Sequence, residues 1–130
     1  MDELLDTLRA LRSDPSKALV LYEQLFRASF FVLVKSGSED YLESHLFLTY
    51  PTVDEIRELP AFTKRMFVLE DLAVDAVLVQ VDGPRLWFRM LDIVKTGQCE
   101  VAIDPGQVHG IRLNREMILG MTSAYGSHSS

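Results

Sequence analysis

The stretch from Val77 to Ile103 constrains the fold most, because its hydrophobic period changes twice. Residues 77–81 alternate with the two-residue period of a strand, and residues 99–103 alternate in the same way. Between them, one helical face collects the apolar residues Trp87, Met90, Leu91 and Val94. Gly97 lies where a left-handed residue commonly ends a helix. This order of strand, helix and strand predicts a crossover within one sheet, with the helix packed on it.

The beginning of the chain predicts two helices and a hairpin. Leucines recur at helical spacing in the first segment, and Asp14 before Pro15 is typical of the start of a second helix, which runs to about Arg27. The continuous apolar run of residues 30–34 predicts a strand covered on both faces. Residues 45–50 predict the partner strand of a hairpin.

The middle of the chain predicts a short extended piece at residues 60–63. Thr63 is then expected to cap a helix that carries Met66, Leu69, Glu70 and Ala73. An alternative stays open here, because residues 66–69 are apolar and could equally form a strand.

The end of the chain predicts a turn, a strand and a helix. The turn lies at residues 104–106, and residues 109–113 can pair as a short strand. Asn114 is expected to cap a last helix that ends near Met121. Residues 123–130 are expected to form a disordered tail.

Together, these segments predict a single α+β domain over residues 1–122, built on a mixed sheet of about five or six strands. The two opening helices and the later ones are expected to pack on this sheet. A chain of 130 residues is long enough to bury one core.

Composition disfavours several classes of partner, although weak local basic patches at Lys64 with Arg65 and at Arg85 with Arg89 could still override the mean charge. The formal charge of −6 repels phosphate backbones and anionic lipids, so we expect neither a nucleic acid nor a membrane as a partner. Cys99 is the sole cysteine, which excludes an intrachain disulfide and a thiolate zinc cluster. The acidic N-terminus lacks the basic and apolar stretches of a secretory signal. We therefore expect a cytoplasmic protein.

Two short motifs follow one another in an order found in a known family. Leu59-Pro60-Ala61-Phe62-Thr63 precedes a short helix, and Val101-Ala102-Ile103-Asp104-Pro105-Gly106 precedes a short strand and the last helix. With the two opening helices, this order resembles the N-terminal domain of the bacterial enhanced serine sensitivity protein family, SseB, over residues 4–121. Asp104 stands where the family usually has Asn.

The resemblance implies a fold more than a function. The SseB family has no agreed enzymatic activity, so the resemblance implies no catalytic residues. Larger members carry a second, C-terminal domain that this sequence does not include, and roles of that domain are not implied.

Aromatic residues at the ends of predicted strands are the candidate interaction residues. They are Tyr50, Phe62 and Phe67, which are more aromatic residues than a catalytic site would need. Because Pro60 can keep an edge strand open on one side, Phe62 could anchor a partner there. The competing interpretation, which we prefer for Phe62, is a side chain packed in the core.

No set of side chains predicts a catalytic, cofactor or metal site. Asp104, His109 and Glu116 lie near the last turn, but nothing in their spacing makes them converge. The three histidines lack the one-turn spacing of metal ligands. Cys99 alternates with apolar residues that face the core, so we expect an inert buried thiol.

Two further motifs have ordinary interpretations. Asp82-Gly83 at a strand-to-helix junction predicts a carboxylate that caps its own helix, because a phosphate loop would need more glycines. The acidic residues between positions 39 and 58 lack the spacing of a calcium loop and are expected to be solvated surface.

The sequence thus favours a non-enzymatic module that binds another protein or a second copy of itself, with no cofactor and no metal. An alternative is a secretion-type chaperone or an immunity-like protein that masks a client. A small-molecule binder or an enzyme is the third hypothesis, and it needs a deep cavity lined by Arg85, Asp104 or His109.

Overall fold

The computed structural model of the chain describes residues 3–11, 13–35, 48–52, 56–68, 76–94 and 99–126. Its helices are α1 (Glu3–Ala10), α2 (Ala18–Arg27), α3 (Gly83–Val94) and α4 (Arg115–Tyr125). Its strands are β1 (Ser29–Lys35), β2 (Arg57–Phe62), β3 (Ala76–Asp82), β4 (Cys99–Ile103) and β5 (Ile111–Leu113). Short 3₁₀ turns lie at Pro15–Lys17 and Arg65–Phe67. The predicted fold class, an α+β domain on a mixed sheet, is confirmed.

The five strands are ordered β3-β1-β2-β4-β5 across the sheet. β1 is antiparallel to both β2 and β3, β2 is parallel to β4, and β5 is antiparallel to β4. β3 and β4 therefore run in the same direction, with β1 and β2 between them. The predicted strand-helix-strand crossover is present as β3-α3-β4.

One apolar core joins the four helices to one face of the sheet. On β1, Phe30, Val32 and Val34 belong to this core and are fully buried. Trp87 on α3 packs edge-on against Phe30 with ring centroids 5.5 Å apart. Leu33 is also buried, as expected for a strand covered on both faces.

The two capping residues predicted from the sequence, Asp14 and Asn114, act as N-terminal caps in the structure. The Asp14 side chain accepts a hydrogen bond from the Ser16 backbone N–H at 3.1 Å and begins the turn that leads into α2. Asn114 accepts from the Met117 N–H at 2.9 Å and caps α4. No helix in the described part of the chain is long and apolar enough to cross a lipid bilayer.

The last helix ends further along the chain than the sequence predicted. α4 continues past Met121 to Tyr125, so residues 123–125 are helical and do not belong to a disordered tail. The reason is packing, because the Tyr125 ring lies 6.0 Å from that of Phe26 on α2. Residues 127–130 lie outside the described residues.

The segment predicted as the second strand of a hairpin has a narrower role. Residues 45–47 lie outside the described residues. Leu48 donates its backbone N–H to Leu33 O at 3.0 Å. Leu33 lies opposite Pro60 when the β1–β2 register is continued by one residue, and Pro60 has no N–H to donate. Leu48 thus supplies to β1 the hydrogen bond that β2 cannot make at this point.

The helix predicted after Thr63 is not formed as expected. Between Thr63 and Val68 the structure contains the 3₁₀ turn Arg65–Phe67 and no α-helix. Residues 69–73 lie outside the described residues. Thr63 does not cap this turn, because its hydroxyl group donates to Asp104 instead. Gly97, the predicted terminator of α3, also lies outside the described residues.

Gly83 permits close packing at the junction of β3 and α3. A Cβ atom at this position would lie 2.2 Å from Phe26 O and 2.5 Å from Ala28 O, both at the C-terminal end of α2. No side chain fits between these backbones. The glycine is therefore required by helix packing, and a phosphate-binding loop is not needed to explain it.

Candidate functional site

β3 forms one edge of the sheet. All seven of its residues, Ala76 to Asp82, are in register with β1. On its other side, β3 pairs with no residue that the structure describes. In the described part of the chain the backbone along this side of β3 is therefore unpaired, and an unpaired edge of this kind can accept a further strand.

The direction of the unpaired backbone groups follows from one hydrogen bond. Leu33 O accepts from Leu48, on the side of β1 that faces away from β3. In an antiparallel ladder, the N–H and C=O of a residue point to the same side, and successive residues alternate. Leu78 is in register with Leu33, and Gln80 with Phe31. Leu78 and Gln80 therefore direct their backbone N–H and C=O groups outward, away from the sheet.

The side chains of β3 favour pairing with another strand. Residues 76–81 contain neither a charged residue nor a proline, and three of them are valines. Residues 76–79 are half-buried and Gln80 is exposed. Most exposed edges are protected by charges, prolines or bulges, and β3 has only Asp82 at its end.

The opposite edge, β5, has the protection that β3 lacks. It is three residues long, and its central residue Arg112 is charged and exposed. Arg112 Nη2 lies 3.1 Å from Glu100 Oε1 on β4, and Arg112 Nε lies 3.8 Å from Glu58 Oε2 on β2. A short strand with a charge at its centre is a poor template for another strand.

The three aromatic residues singled out from the sequence lie elsewhere. Phe62 is fully buried, so it packs in the interior and cannot be an exposed anchor. Tyr50 is half-buried and exchanges two backbone hydrogen bonds with Glu58, at 2.8 and 2.7 Å. Burial raises the pKa of the Tyr50 hydroxyl. Phe67 is half-buried, with its ring 5.3 Å from that of His109. None of the three belongs to the β3 edge.

A second polar arrangement lies where β2 and β4 end. The Asp104 carboxylate accepts three hydrogen bonds: from the Thr63 N–H at 2.8 Å, from the Thr63 hydroxyl at 2.6 Å and from His109 Nε2 at 2.7 Å. Asp104 is fully buried and His109 is 6% exposed. We call Thr63, Asp104 and His109 the turn cluster. The expectation that nothing brings Asp104 and His109 together is wrong, because the turn folds back on itself.

The backbone of the turn holds this cluster in place. Asp104 has φ of 49°, a left-handed conformation that Asp and Asn tolerate better than most residues. Its N–H donates to Ala61 O at 2.9 Å, and its C=O accepts from Gln107 at 3.1 Å. The predicted turn at residues 104–106 is confirmed, and its conformation turns the carboxylate toward the end of β2.

The turn cluster does not have the geometry of a nucleophilic triad. The Thr63 hydroxyl donates to the Asp104 carboxylate and not to the imidazole, so the contact between hydroxyl and imidazole that defines such a triad is not made. Glu116, the third residue considered with this pair, is exposed on α4. Burial raises the pKa of the Cys99 thiol, which disfavours the reactive thiolate. Among the residues that the structure describes, no three potential ligands are grouped to hold a metal ion.

Comparison with known proteins gives no further guide. Neither the models of known protein families nor the curated proteins contain a match to this chain.

Proposed function

We propose that this protein is an interaction module that binds an extended segment of a protein partner by strand addition to β3. The observation that carries this proposal is the outward direction of the Leu78 and Gln80 backbone groups on an uncharged edge. A partner strand would hydrogen-bond to these groups and extend the sheet beyond its five strands.

The edge offers affinity and some selectivity. Each backbone hydrogen bond contributes about 0.5–1.5 kcal/mol net, so several bonds and some apolar burial are needed for stable binding. A partner residue beside Val79 would lie on the helix-covered side of the sheet, whereas one beside Leu78 or Gln80 would lie on the other side. We therefore expect alternating β-branched or apolar residues in the partner segment.

We also propose a family relation and a cellular location for this chain. A relation to the N-terminal domain of SseB is supported by the order of motifs, and the left-handed turn residue suits the family's Asn as well as Asp104. A cytoplasmic location is supported by the lone buried thiol of Cys99. A client-masking role would use the same edge.

A substitution at Gln80 tests the proposal without breaking the sheet. Because the Gln80 N–H points outward, Gln80→Pro removes a donor from the free edge and none from the β1 ladder. Partners captured from the native host with the wild-type chain would be identified by mass spectrometry, and their dissociation constants measured. We expect Gln80→Pro to weaken binding at least about tenfold, or about 1.4 kcal/mol.

Gln80→Thr is the matched control, since threonine keeps the donor and suits a strand. It should bind as the wild type does, and both variants should keep the wild-type circular dichroism spectrum. Equal binding by the proline and threonine variants would contradict strand addition at β3. If the captured partner is a second copy, light scattering should show a dimer that Gln80→Pro dissociates.

A further inference from the structure

A cavity of about 410 Å³ opens beside the turn cluster, at the other end of the strand order from β3. The described residues that line it are Arg9, Gln107, Val108 and His109. Its volume falls within the range of about 300–1,000 Å³ typical of sites for small molecules. The cavity contributes nothing to the proposed strand addition and needs its own explanation.

One ring nitrogen of His109 has no hydrogen-bond partner in the described part of the chain. The side chain is 5% exposed, and Nε2 is held by the Asp104 carboxylate at 2.7 Å. Nδ1 has no partner among the residues described, and it is not among the fully enclosed unsatisfied atoms. The Phe67 ring packs 5.3 Å away and helps to fix the imidazole. A fixed ring with one unoccupied nitrogen in the wall of a cavity is preorganised to bind a ligand.

Arg9 adds a positive charge to the same cavity. It lies in the last turn of α1, is exposed, and forms no ion pair with any residue in the described ranges. The guanidinium group therefore remains available for an anion.

We propose that this cavity binds a phosphate group, either as free phosphate or as the phosphomonoester of a small metabolite. Guanidinium groups bind two phosphate oxygens in a fork. A further phosphate oxygen would share a proton with His109 Nδ1, because a phosphomonoester titrates at a pKa of about 6 and still exchanges this proton near neutral pH. Carboxylates and sulfate are fully ionised there and bring no such proton.

Isothermal titration of the whole chain with inorganic phosphate, with glycerol phosphate and with sulfate tests the assignment. We expect both phosphate compounds to bind, and sulfate to bind several-fold more weakly. Arg9→Gln should reduce phosphate affinity at least about tenfold. This variant is exposed and should fold normally, and Arg27→Gln is the matched control because Arg27 pairs with Glu23 on α2. The control should bind as the wild type does.

The two sources of phosphate are distinguished by relative affinity. Tighter binding of glycerol phosphate would identify a metabolite whose organic part fills the cavity, and equal affinities would identify free phosphate. Wild-type affinity in Arg9→Gln, or no binding of either phosphate compound at millimolar concentration, would overturn the site. Sulfate binding as tight as that of phosphate would overturn the assignment of the ligand. Gln80→Pro should leave phosphate binding unchanged, so this proposal stands apart from strand addition.

Discussion

The two edges of the sheet are stabilised in different ways. On the β3 side the support is apolar, since β3 pairs with β1, whose Phe30 packs against the buried Trp87 ring, and β3 itself carries no charge before Asp82. Around β5, the support is polar, with Arg112 between two glutamates and the Asp104 carboxylate at the preceding turn. We therefore propose that a partner strand adds to β3 and not to β5, which is short and carries a charge at its centre. The comparison indicates that the length and charge of an edge strand, and not only its unpaired backbone groups, decide whether the edge suits a further strand.

The largest effect is expected from removing the apolar support of the β3 side. Trp87→Ala should lower the free energy of unfolding by about 3–5 kcal/mol, because the ring is fully buried and Nε1 donates to Leu25 O at 2.8 Å. Chemical denaturation measures this loss. Phe88→Ala on the same helix is the control; its ring is 46% exposed, and we expect a loss of only about 1 kcal/mol. Similar losses in both variants would mean that Trp87 is not the support of this side.

An intermediate effect is expected from the polar support of the β5 side. Asp104→Asn leaves a single acceptor oxygen for three donors, so we expect a loss of about 1–3 kcal/mol. Amide hydrogen exchange should accelerate at Gln107 and Gly110, whose N–H groups close the turn. Asp82→Asn, at the exposed end of β3, should change stability by less than about 0.5 kcal/mol. A variant Asp104→Asn as stable as the wild type would show that the left-handed backbone alone holds the turn.

The smallest effect on stability is expected at the charge on β5. Arg112→Val should cost less than about 1 kcal/mol, because its ion pairs are partly exposed. We expect this variant to self-associate no more than the wild type in light scattering, since three residues offer few bonds to a second strand. Gln80→Val on β3 is the comparison and should increase self-association. Dimerisation of Arg112→Val would show that charge, and not length, closes the β5 edge.

Local patterns in the sequence predicted most of the elements. The alternation of residues 77–81 and 99–103, the apolar face around Trp87 and the capping residues Asp14 and Asn114 all depend on neighbours within a few positions. Such short-range signals are the ones that a single sequence contains. The strand order depends on contacts between residues that are far apart in the sequence, and this order places β3 at an edge. The candidate binding edge could therefore not be recognised from the sequence.

The turn cluster was missed for a related reason. Thr63 and Asp104 are 41 residues apart, and only the parallel pairing of β2 with β4 brings their ends together. One local signal was present, because Asp before Pro-Gly at the end of a strand suits a left-handed residue whose side chain bonds back to the chain. Its partners were not encoded locally. Phe62, by contrast, was correctly weighed as a core residue from its neighbours alone.

The glycine at the start of α3 has a consequence for tracing the ancestry of this chain. Replacement by any other amino acid would force the backbones of α2 and α3 apart, since the added atom would overlap a carbonyl oxygen at 2.2 Å. Changes at neighbouring positions can compensate for substitutions of surface and core side chains. No change of a neighbouring side chain makes room at position 83, because the clash is with backbone carbonyl oxygens. We therefore expect distant kin to keep a glycine at position 83, which would make it a better marker for alignment than the more conspicuous Asp-Pro-Gly turn.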